Sequence, residues 1–203
     1  MSKGSLIVFS GPSGCGKDTI LSEYMKGRKD AFLSISATTR AKRDGEIENV
    51  SYYYLTKEEF EERIKNIGML EYACYCDNYY GTPREEVYNK LNQGINVILE
   101  IEIQGAMKVK ECCPEAVMIF VLPPSLEVLR NRLVNRGTED IETIEKRLAK
   151  AKEEISYAPK YDYIIVNDVL EKAIEDLDTV ISSQQFKTEF KKEFIKEVLN
   201  YDA

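Results

Sequence analysis

The sequence has 203 residues, enough for one α/β domain with small insertions and a substantial hydrophobic core. Its formal net charge of -7 argues against non-specific nucleic-acid binding, which requires a basic face, so a polyanionic substrate must be met by a local arginine cluster. No apolar run approaches the ~20 residues of a membrane span, and residues 1–4 enter β-structure without the apolar core of a signal peptide, so we expect a cytoplasmic protein with no membrane partner.

The five cysteines give no sign of a metal site. They lie at positions 15, 74, 76, 112 and 113, form no C-x-x-C pair, and the sequence has no histidine to complete a zinc site. Reduced thiols are therefore the expected state.

The first predicted unit contains a glycine-rich loop. The apolar run at 6–9 predicts a strand, and a helix is expected over about 19–26, with Gly27 after it. Between them lies G-P-S-G-C-G-K, residues 11–17. Glycines allow successive backbone N–H groups to converge on phosphate oxygens at a helix start, and Lys17 adds a positive charge for the outer phosphates. The order of strand, loop and helix predicts a phosphate-binding loop rather than a chance glycine turn.

One loop position departs from the common pattern. The residue after Lys17 is usually Ser or Thr and a magnesium ligand, whereas here it is Asp18, followed by Thr19. Because magnesium accepts carboxylate oxygen, often through retained water, we predict that Asp18 takes part in the metal site. The alternative is that Asp18 only caps the helix while Thr19 contacts a phosphate.

The next segment interrupts the α/β rhythm. An extended run at 32–35 completes a βαβ unit and predicts a parallel sheet, but residues 36–46 are polar and basic. Residues 51–55 alternate like a short strand, T-K-E-E at 56–59 predicts a capping box opening a short helix, and strands are expected at 69–75 and 78–82. These elements predict a small mixed sheet separate from the main one.

From Pro83 onward the sequence predicts α/β units again. We expect a helix to about residue 92, a buried strand at 96–102 that ends in carboxylates, a helix at 105–112 and a strand at 117–122. Carboxylates at the carboxyl end of a parallel strand lie where α/β sheets place ligand groups.

The last third of the chain predicts a helical hairpin, a strand and a helical tail. One helix follows Ser125 and stops at Gly137, and a second covers about 141–156. After a strand at 163–166, the last ~35 residues are predicted to be amphipathic helix, with phenylalanines at 186, 190 and 194 packing inward.

Two arginine clusters could carry chemistry. Arg40 and Arg43 lie in a loop where Tyr52 and Tyr80 could converge on them, a set suited to a monophosphate; the alternative is a solvated basic loop balanced by nearby acidic residues. Arg132 and Arg136 share a face of the predicted hairpin, and the alternative there is ordinary pairing with neighbouring glutamates. A phosphate-binding loop favours the functional interpretation of both, because phosphoryl transfer depends on positioned positive charge.

The order of motifs resembles the guanylate kinase family from about residue 4 to 185. The matching segments are G-P-S-G-C-G-K, S-A-T-T-R-A-K-R-D-G-E, N-Y-Y-G-T, E-I-E-I-Q-G, L-P-P-S, R-L-V-N-R-G-T, E-K-R-L and I-V-N-D. The resemblance implies a P-loop parallel sheet core flanked by helices, with a small mixed α/β GMP-binding insertion and a helical lid. The expected bounds are 1–35, 84–124 and 160–203 for the core, 36–83 for the insertion and 125–159 for the lid.

The resemblance also implies an activity and a set of site residues. The activity is Mg²⁺-dependent transfer of the γ-phosphoryl group of ATP to GMP and dGMP, in a monomer or homodimer without a nucleic-acid partner. The implied catalytic residues are Lys17, Arg40, Arg132, Arg136 and Arg147. The implied ATP-binding residues are Gly11, Pro12, Ser13, Gly14, Cys15, Gly16, Lys17, Asp18, Thr19 and Asn167. The implied GMP-binding residues are Ser36, Arg40, Arg43, Glu46, Tyr52, Glu71, Tyr80, Thr82, Glu100 and Glu102.

The metal ligands are expected to be Asp18, directly or through water, and Glu100. Here the chain departs from many members of the family, which have Asp-x-Asp in place of Glu100-Ile101-Glu102 and Ser in place of Asp18. The departures concern the metal and base contacts rather than the reaction.

Guanine recognition can be argued from the residues themselves. Guanine presents N1–H and N2–H donors, so its pocket needs a carboxylate such as Glu71, with a hydroxyl from Ser36 or Thr82 for O6. Adenine would turn a lone pair toward that carboxylate, and sites built on such hydrogen bonds discriminate by ~10⁴-fold or more.

Three alternatives stay open from the sequence. A P-loop kinase for another phosphorylated molecule, such as a ribose bisphosphate, would keep the loop without the guanine set. A non-catalytic domain that binds phosphorylated peptides would keep Arg40 and Arg43 but lose the ATP loop, and the intact Lys17 weighs against it. A regulatory GTPase would need a separate base-specificity motif, which we do not find.

Overall fold

The computed structural model of this chain describes residues 3–135 and 140–200. The strands are β1 (Leu6–Ser10), β2 (Ala31–Leu33), β3 (Ala37–Thr38), β4 (Tyr53–Tyr54), β5 (Met69–Tyr75), β6 (Asn78–Pro83), β7 (Asn96–Glu100), β8 (Val117–Leu122) and β9 (Tyr163–Val166). The α-helices are α1 (Lys17–Tyr24), α2 (Lys57–Lys65), α3 (Arg84–Asn92), α4 (Ile103–Cys112), α5 (Leu126–Asn135), α6 (Ile141–Ile155), α7 (Leu170–Ser183) and α8 (Lys192–Leu199).

The main sheet is parallel and has five strands in the order β2-β7-β1-β8-β9. Its central strands are continuous apolar runs because both faces are covered by helices. On one face, Leu91 of α3 and Val109 of α4 belong to the core, and on the other Leu21 of α1 and Leu177 of α7 do so. The predicted α/β class with a parallel sheet is confirmed.

All main-sheet strands end at the same edge, because they are parallel. The loop after β1, the carboxyl end of β7 and Asn167, just after β9, therefore meet there. The sheet order places β7 and β8 on opposite sides of β1, which is the kind of reversal that opens a ligand crevice in α/β sheets.

The second sheet has four strands in the order β4-β3-β6-β5 and mixes parallel and antiparallel pairs. The capping box predicted at α2 is present: the Glu59 N–H donates to Thr56 Oγ1 at 3.1 Å, and Glu59 Oε2 accepts from the Thr56 N–H at 2.7 Å. Phe60 of α2 is buried and stacks on Tyr79 with ring centroids 5.1 Å apart. The predicted separate mixed sheet is confirmed.

Several predicted element ends differ from the structure by a few residues. Helix α1 begins at Lys17 rather than 19, and β7 ends at Glu100 rather than 102. Glu102 has extended backbone (φ -68°, ψ 160°) and is the N-cap of α4, so that helix begins at Ile103. The predicted stop at Gly137 lies outside the described residues.

The prediction for the C-terminal tail is confirmed only in part: α7 and α8 are helices, but they are not continuous, and the predicted packing of the phenylalanines is wrong. Lys187 adopts φ -59° and ψ 138°, which no helix tolerates, and the segment from 184 to 191 forms two short 3₁₀ turns instead of a continuous helix. The phenylalanine spacing therefore does not produce one face. Phe186 is 72% exposed and Phe194 is 62% exposed, so neither packs into the core.

Within the described ranges, the helices are too short or too polar for any of them to cross a membrane.

Candidate active site

The loop between β1 and α1 has the backbone conformation of a phosphate-binding loop. Gly14 and Gly16 adopt φ of 87° and 92°, a region that favours glycine. Gly16 is the N-cap of α1, and a Cβ added there would lie 2.4 Å from Asn167 Nδ2. Position 16 therefore requires glycine for two reasons, its backbone angle and the close approach of Asn167.

Asn167 and Arg132 hold the outside of this loop. Asn167 is buried, and its Nδ2 donates to the Cys15 carbonyl at 2.7 Å. Arg132 donates to the same carbonyl at 3.3 Å and to the Asn167 carbonyl at 2.8 Å. Arg132 therefore does not form the ordinary pairing with neighbouring glutamates on its helix, because these bonds join α5 to the loop.

Lys17 and Arg147 also lie at the loop. Lys17 Nζ donates to the carbonyls of Gly11 at 2.8 Å and Pro12 at 3.4 Å, which keeps the ammonium group inside the curve of the loop. Arg147 of α6 donates from Nη2 to Ser13 Oγ at 2.6 Å. The structure thus brings Lys17, Arg132 and Arg147 together, whereas Arg136 lies outside the described residues.

Asp18 and Glu100 form a pair of carboxyl groups beside Lys17. They lie within hydrogen-bonding distance, and burial, followed by the neighbouring Asp18, raises the pKa of Glu100 to about 8, with Lys17 opposing the shift. Asp18 lies in the first turn of α1 rather than at its N-cap, so the capping alternative does not describe it. Two adjacent carboxylates repel when both are ionised, and a divalent cation between them removes that cost.

This donor set fits magnesium better than a metal held by protein alone. No group of three or more acidic, histidine or cysteine ligands occurs among residues 3–135 and 140–200. Magnesium commonly binds to one or two carboxylates plus substrate phosphates and water, which is what Asp18 and Glu100 beside the loop can offer.

Arg40 is held by Glu46 at the second sheet. Two nitrogens of the guanidinium donate to the two Glu46 oxygens, at 3.1 and 2.7 Å. Glu46 also accepts from the Arg43 backbone N–H and the Tyr54 hydroxyl, each at 2.8 Å. These bonds, that to Arg40 first, lower the pKa of Glu46 to about 2, so it is ionised at any physiological pH.

The predicted tyrosines converge on Arg40. The guanidinium lies 5.4 Å from the centroid of the Tyr52 ring, and Tyr52 and Tyr80 meet edge-on with centroids 6.2 Å apart. Glu46 first, and Tyr80 after it, raise the pKa of Arg40. Arg43 is exposed, so the structure does not bring its side chain to this cluster. The tyrosine rings thus lie beside Arg40, and an acidic residue balances its charge. Binding of a monophosphate by this cluster stays a prediction.

A buried carboxyl group lies where the second sheet packs against α4. Glu71 on β5 is only 7% exposed, accepts a hydrogen bond from Thr82 Oγ1 at 2.8 Å, and has its pKa raised by burial. Gly105 of α4 packs against it, since a Cβ there would lie 2.8 Å from Glu71 Oε2. Ser36 is half-buried at the start of β3, where its carbonyl accepts from the Tyr53 N–H at 2.9 Å.

Glu102 does not join the buried Glu71 and Thr82. Its side chain is 76% exposed at the start of α4, where Lys150 Nζ lies 3.9 Å from Oε2. The remaining predicted loop residue, Thr19, is exposed on α1.

Sequence reasoning missed two residues that shape the site. Tyr54 supports Glu46, and its signal was the i, i+2 spacing from Tyr52 on a strand, which places both on one face. Gly105 lets α4 approach Glu71, and its signal was a glycine inside a helical segment, which often reflects a packing need.

A family model described as Guanylate kinase matches residues 3–184, which is most of the chain. The chain belongs to the guanylate kinase family. Membership gives it guanylate kinase activity, so it is a nucleotide-binding P-loop transferase of the ATP:GMP phosphotransferase type. The other three classes left open by the sequence are thereby set aside.

Individual members of the family are similar over nearly their full lengths. The guanylate kinase of Oceanobacillus iheyensis is 50% identical over 187 residues, covering 92% of this chain and 91% of the relative. That of Streptococcus pneumoniae is 51% identical over 185 residues, covering 91% and 89%. The crystal structure of guanylate kinase from Anaplasma phagocytophilum gives a TM-score of 0.78 at 32% identity, covering 100% of this chain and 98% of that one.

Proposed function

We propose that this chain transfers the γ-phosphoryl group of ATP to GMP and dGMP in a magnesium-dependent reaction, with the residues described above in defined roles. The observation that supports it most directly is the buried Glu71–Thr82 pair, because a buried carboxylate needs a donor-rich ligand and guanine offers two donors. The same chain contains the phosphate-binding loop, with Arg132 and Arg147 in contact with that loop.

Lys17, Arg132 and Arg147 act on the transferring phosphoryl group. Its transition state spreads negative charge over oxygens, so positioned cations stabilise it more than the ground state. Lys17 and Arg132 donate to backbone carbonyls, which carry no formal charge, so phosphate oxygens can replace these acceptors readily. We assign Arg136 to the same group through the family motif.

Asp18 and Glu100 would hold the magnesium ion, directly or through water. When bound, the ion would neutralise charge on the phosphates. Lys17 already opposes the rise in the pKa of Glu100, and a bound cation would favour the ionised form of Glu100 further.

The acceptor nucleotide binds between the sheets. Arg40, Tyr52 and Tyr80 hold its phosphate, with Arg43 joining from the same loop, and Glu46 positions Arg40. Glu71 accepts from N1–H and N2–H of guanine, and the hydroxyl of Ser36 can donate to O6. Thr82 can donate to O6 only by giving up its present hydrogen bond to Glu71. Adenine would leave the carboxylate facing a lone pair.

We also propose that the enzyme works in the cytosol. All five cysteines are free, which suits a reducing compartment.

The test is a coupled assay with ATP and each monophosphate in turn. We expect GMP and dGMP to be phosphorylated and AMP to react at least ~10³-fold less efficiently, with CMP and UMP similarly poor. Comparable turnover of AMP and GMP at matched concentrations would contradict the proposed base recognition, and no turnover of GMP would contradict the function itself.

A further inference from the structure

Lys150 on α6 contacts three parts of the molecule at once. Its Nζ lies 3.9 Å from Oε2 of Glu102, at the start of α4, and 5.9 Å from the ring centroid of Tyr75, at the end of β5. Its third partner, Glu154 on its own helix, is 3.6 Å away. One ammonium group therefore links the α5–α6 hairpin to both the main sheet and the second sheet.

The partners of Lys150 belong to the elements that form the guanine pocket. Tyr75 lies four residues after Glu71 on the same strand, and Glu102 precedes the helix whose Gly105 packs against Glu71. At the other end of the link, Arg147 is one turn before Lys150 on α6 and contacts Ser13 of the phosphate-binding loop. Residues three apart on a helix share a face, so a shift of Lys150 carries Arg147 with it.

We propose that Lys150 is a positioning residue that couples occupancy of the guanine pocket to the placement of Arg147 over the ATP loop. The inference rests on the function proposed above. A nucleotide that fixes Glu102 and the end of β5 also fixes two of the partners of Lys150, and the hairpin is then held where Arg147 reaches the loop. Because coupling is reciprocal, ATP at the loop strengthens GMP binding by the same factor.

The neighbouring Lys146 provides the matched comparison. It pairs with Glu142 one turn away at 2.7 Å, closer than any partner of Lys150, yet both residues lie on α6. Lys146 therefore has the same charge and lies exposed on the same helix, and its described ion pair stays within α6. If helix charge alone mattered, the two lysines would behave alike.

The experiment measures binding of a non-hydrolysable ATP analogue with Mg²⁺ by calorimetry, with and without saturating GMP. In the wild type we expect GMP to tighten analogue binding. Lys150→Met keeps the apolar stem and removes the charge, and it should reduce this tightening by about five-fold, the size expected for one exposed ion pair with one cation–π contact. Affinity for the analogue alone should stay unchanged, and Lys146→Met should behave as the wild type.

A second variant identifies the partner. Lys150→Met should cause a smaller loss of coupling in Glu102→Gln than in the wild type, because only the contact with Tyr75 then remains to be lost. Full coupling in Lys150→Met, an equal loss in Lys146→Met, or independent losses in the double variant would each overturn the inference. If the wild type phosphorylates GMP and Lys150→Met keeps full coupling, the inference fails while the proposed function stands. A wild type that does not phosphorylate GMP overturns both.

Discussion

Arg40 and Arg147 are both arginines of the proposed site, but they face different stages of the reaction. Arg40 is fixed by Glu46 before any ligand arrives, so it suits the ground-state phosphate of GMP. Arg147 contacts the loop from a separate hairpin, so it suits charge that develops during transfer. We expect Arg40→Ala mainly to raise the KM for GMP, by about ten-fold or more, and Arg147→Ala mainly to lower kcat, by about 100-fold.

The measurement is steady-state kinetics with GMP varied at saturating ATP. Arg130→Ala is the control, because Arg130 pairs with Glu145 on the exposed side of the same hairpin. Identical changes in KM and kcat for the Arg40 and Arg147 variants would remove the distinction.

Asp18 is the least expected residue of the phosphate-binding loop. If it takes part in the magnesium site, Asp18→Ala should need distinctly more Mg²⁺ for half-maximal turnover at saturating nucleotides, about ten-fold more. Asp18→Ser restores the hydroxyl of the common pattern and should recover much of that loss. Glu23→Ala on the same helix controls for charge, because Glu23 forms an exposed ion pair with Lys26. An unchanged Mg²⁺ requirement in both Asp18 variants would exclude the role.

The packing of α4 on β5 depends on Gly105. Gly105→Ala places a methyl group 2.8 Å from the Glu71 carboxyl, so that side chain has to move away from its bond with Thr82. Replacing a helical glycine by alanine gains about 0.5–1 kcal/mol of helix stability, which offsets part of the packing cost. We therefore expect little change in the free energy of unfolding but a several-fold rise in KM for GMP, with the KM for ATP unchanged.

Kinetics and chemical denaturation of the same variant test this prediction together. Gln104→Ala, an exposed neighbour on α4, is the control. A Gly105→Ala enzyme with an unchanged KM for GMP would show that α4 does not position Glu71.

Sequence patterns succeed best for elements whose determinants are contiguous. The phosphate-binding loop and the capping box of α2 follow from neighbouring residues, and the structure contains both. Contacts between distant elements were not predictable in this way. The link from Lys150 to Glu102 spans separate helices, and the support of Glu46 by Tyr54 depends on how a loop folds back on its strand. The prediction of a continuous tail helix was wrong for a different reason. The phenylalanine spacing is regular, but Lys187 has an extended backbone, which ends the helical structure there.

For the molecule as a whole, the segments 36–83 and 125–159 are predicted to move as rigid units toward the core when both nucleotides bind. Transfer in an open site would lose ATP to hydrolysis, so the site has to close before it is complete. The contacts Arg147–Ser13 and Lys150–Glu102 that cross between these parts are exposed and polar, which makes them easy to exchange. Crystal structures of the free and doubly liganded enzyme would check this. Superposition of both states without relative movement of the segments would contradict it.

The Arg40–Glu46 pair bears on how the enzyme avoids inhibition by the free anions of a cell. Arg40 already donates to a carboxylate that remains ionised, so an incoming anion must share the guanidinium with Glu46 and tolerate its charge. Inorganic phosphate and sulfate have no base with which to offset that repulsion. GMP does, because its guanine can bond Glu71 at the same time. On the roles proposed above, the acidic partner of Arg40 disfavours a phosphate that arrives without a nucleobase.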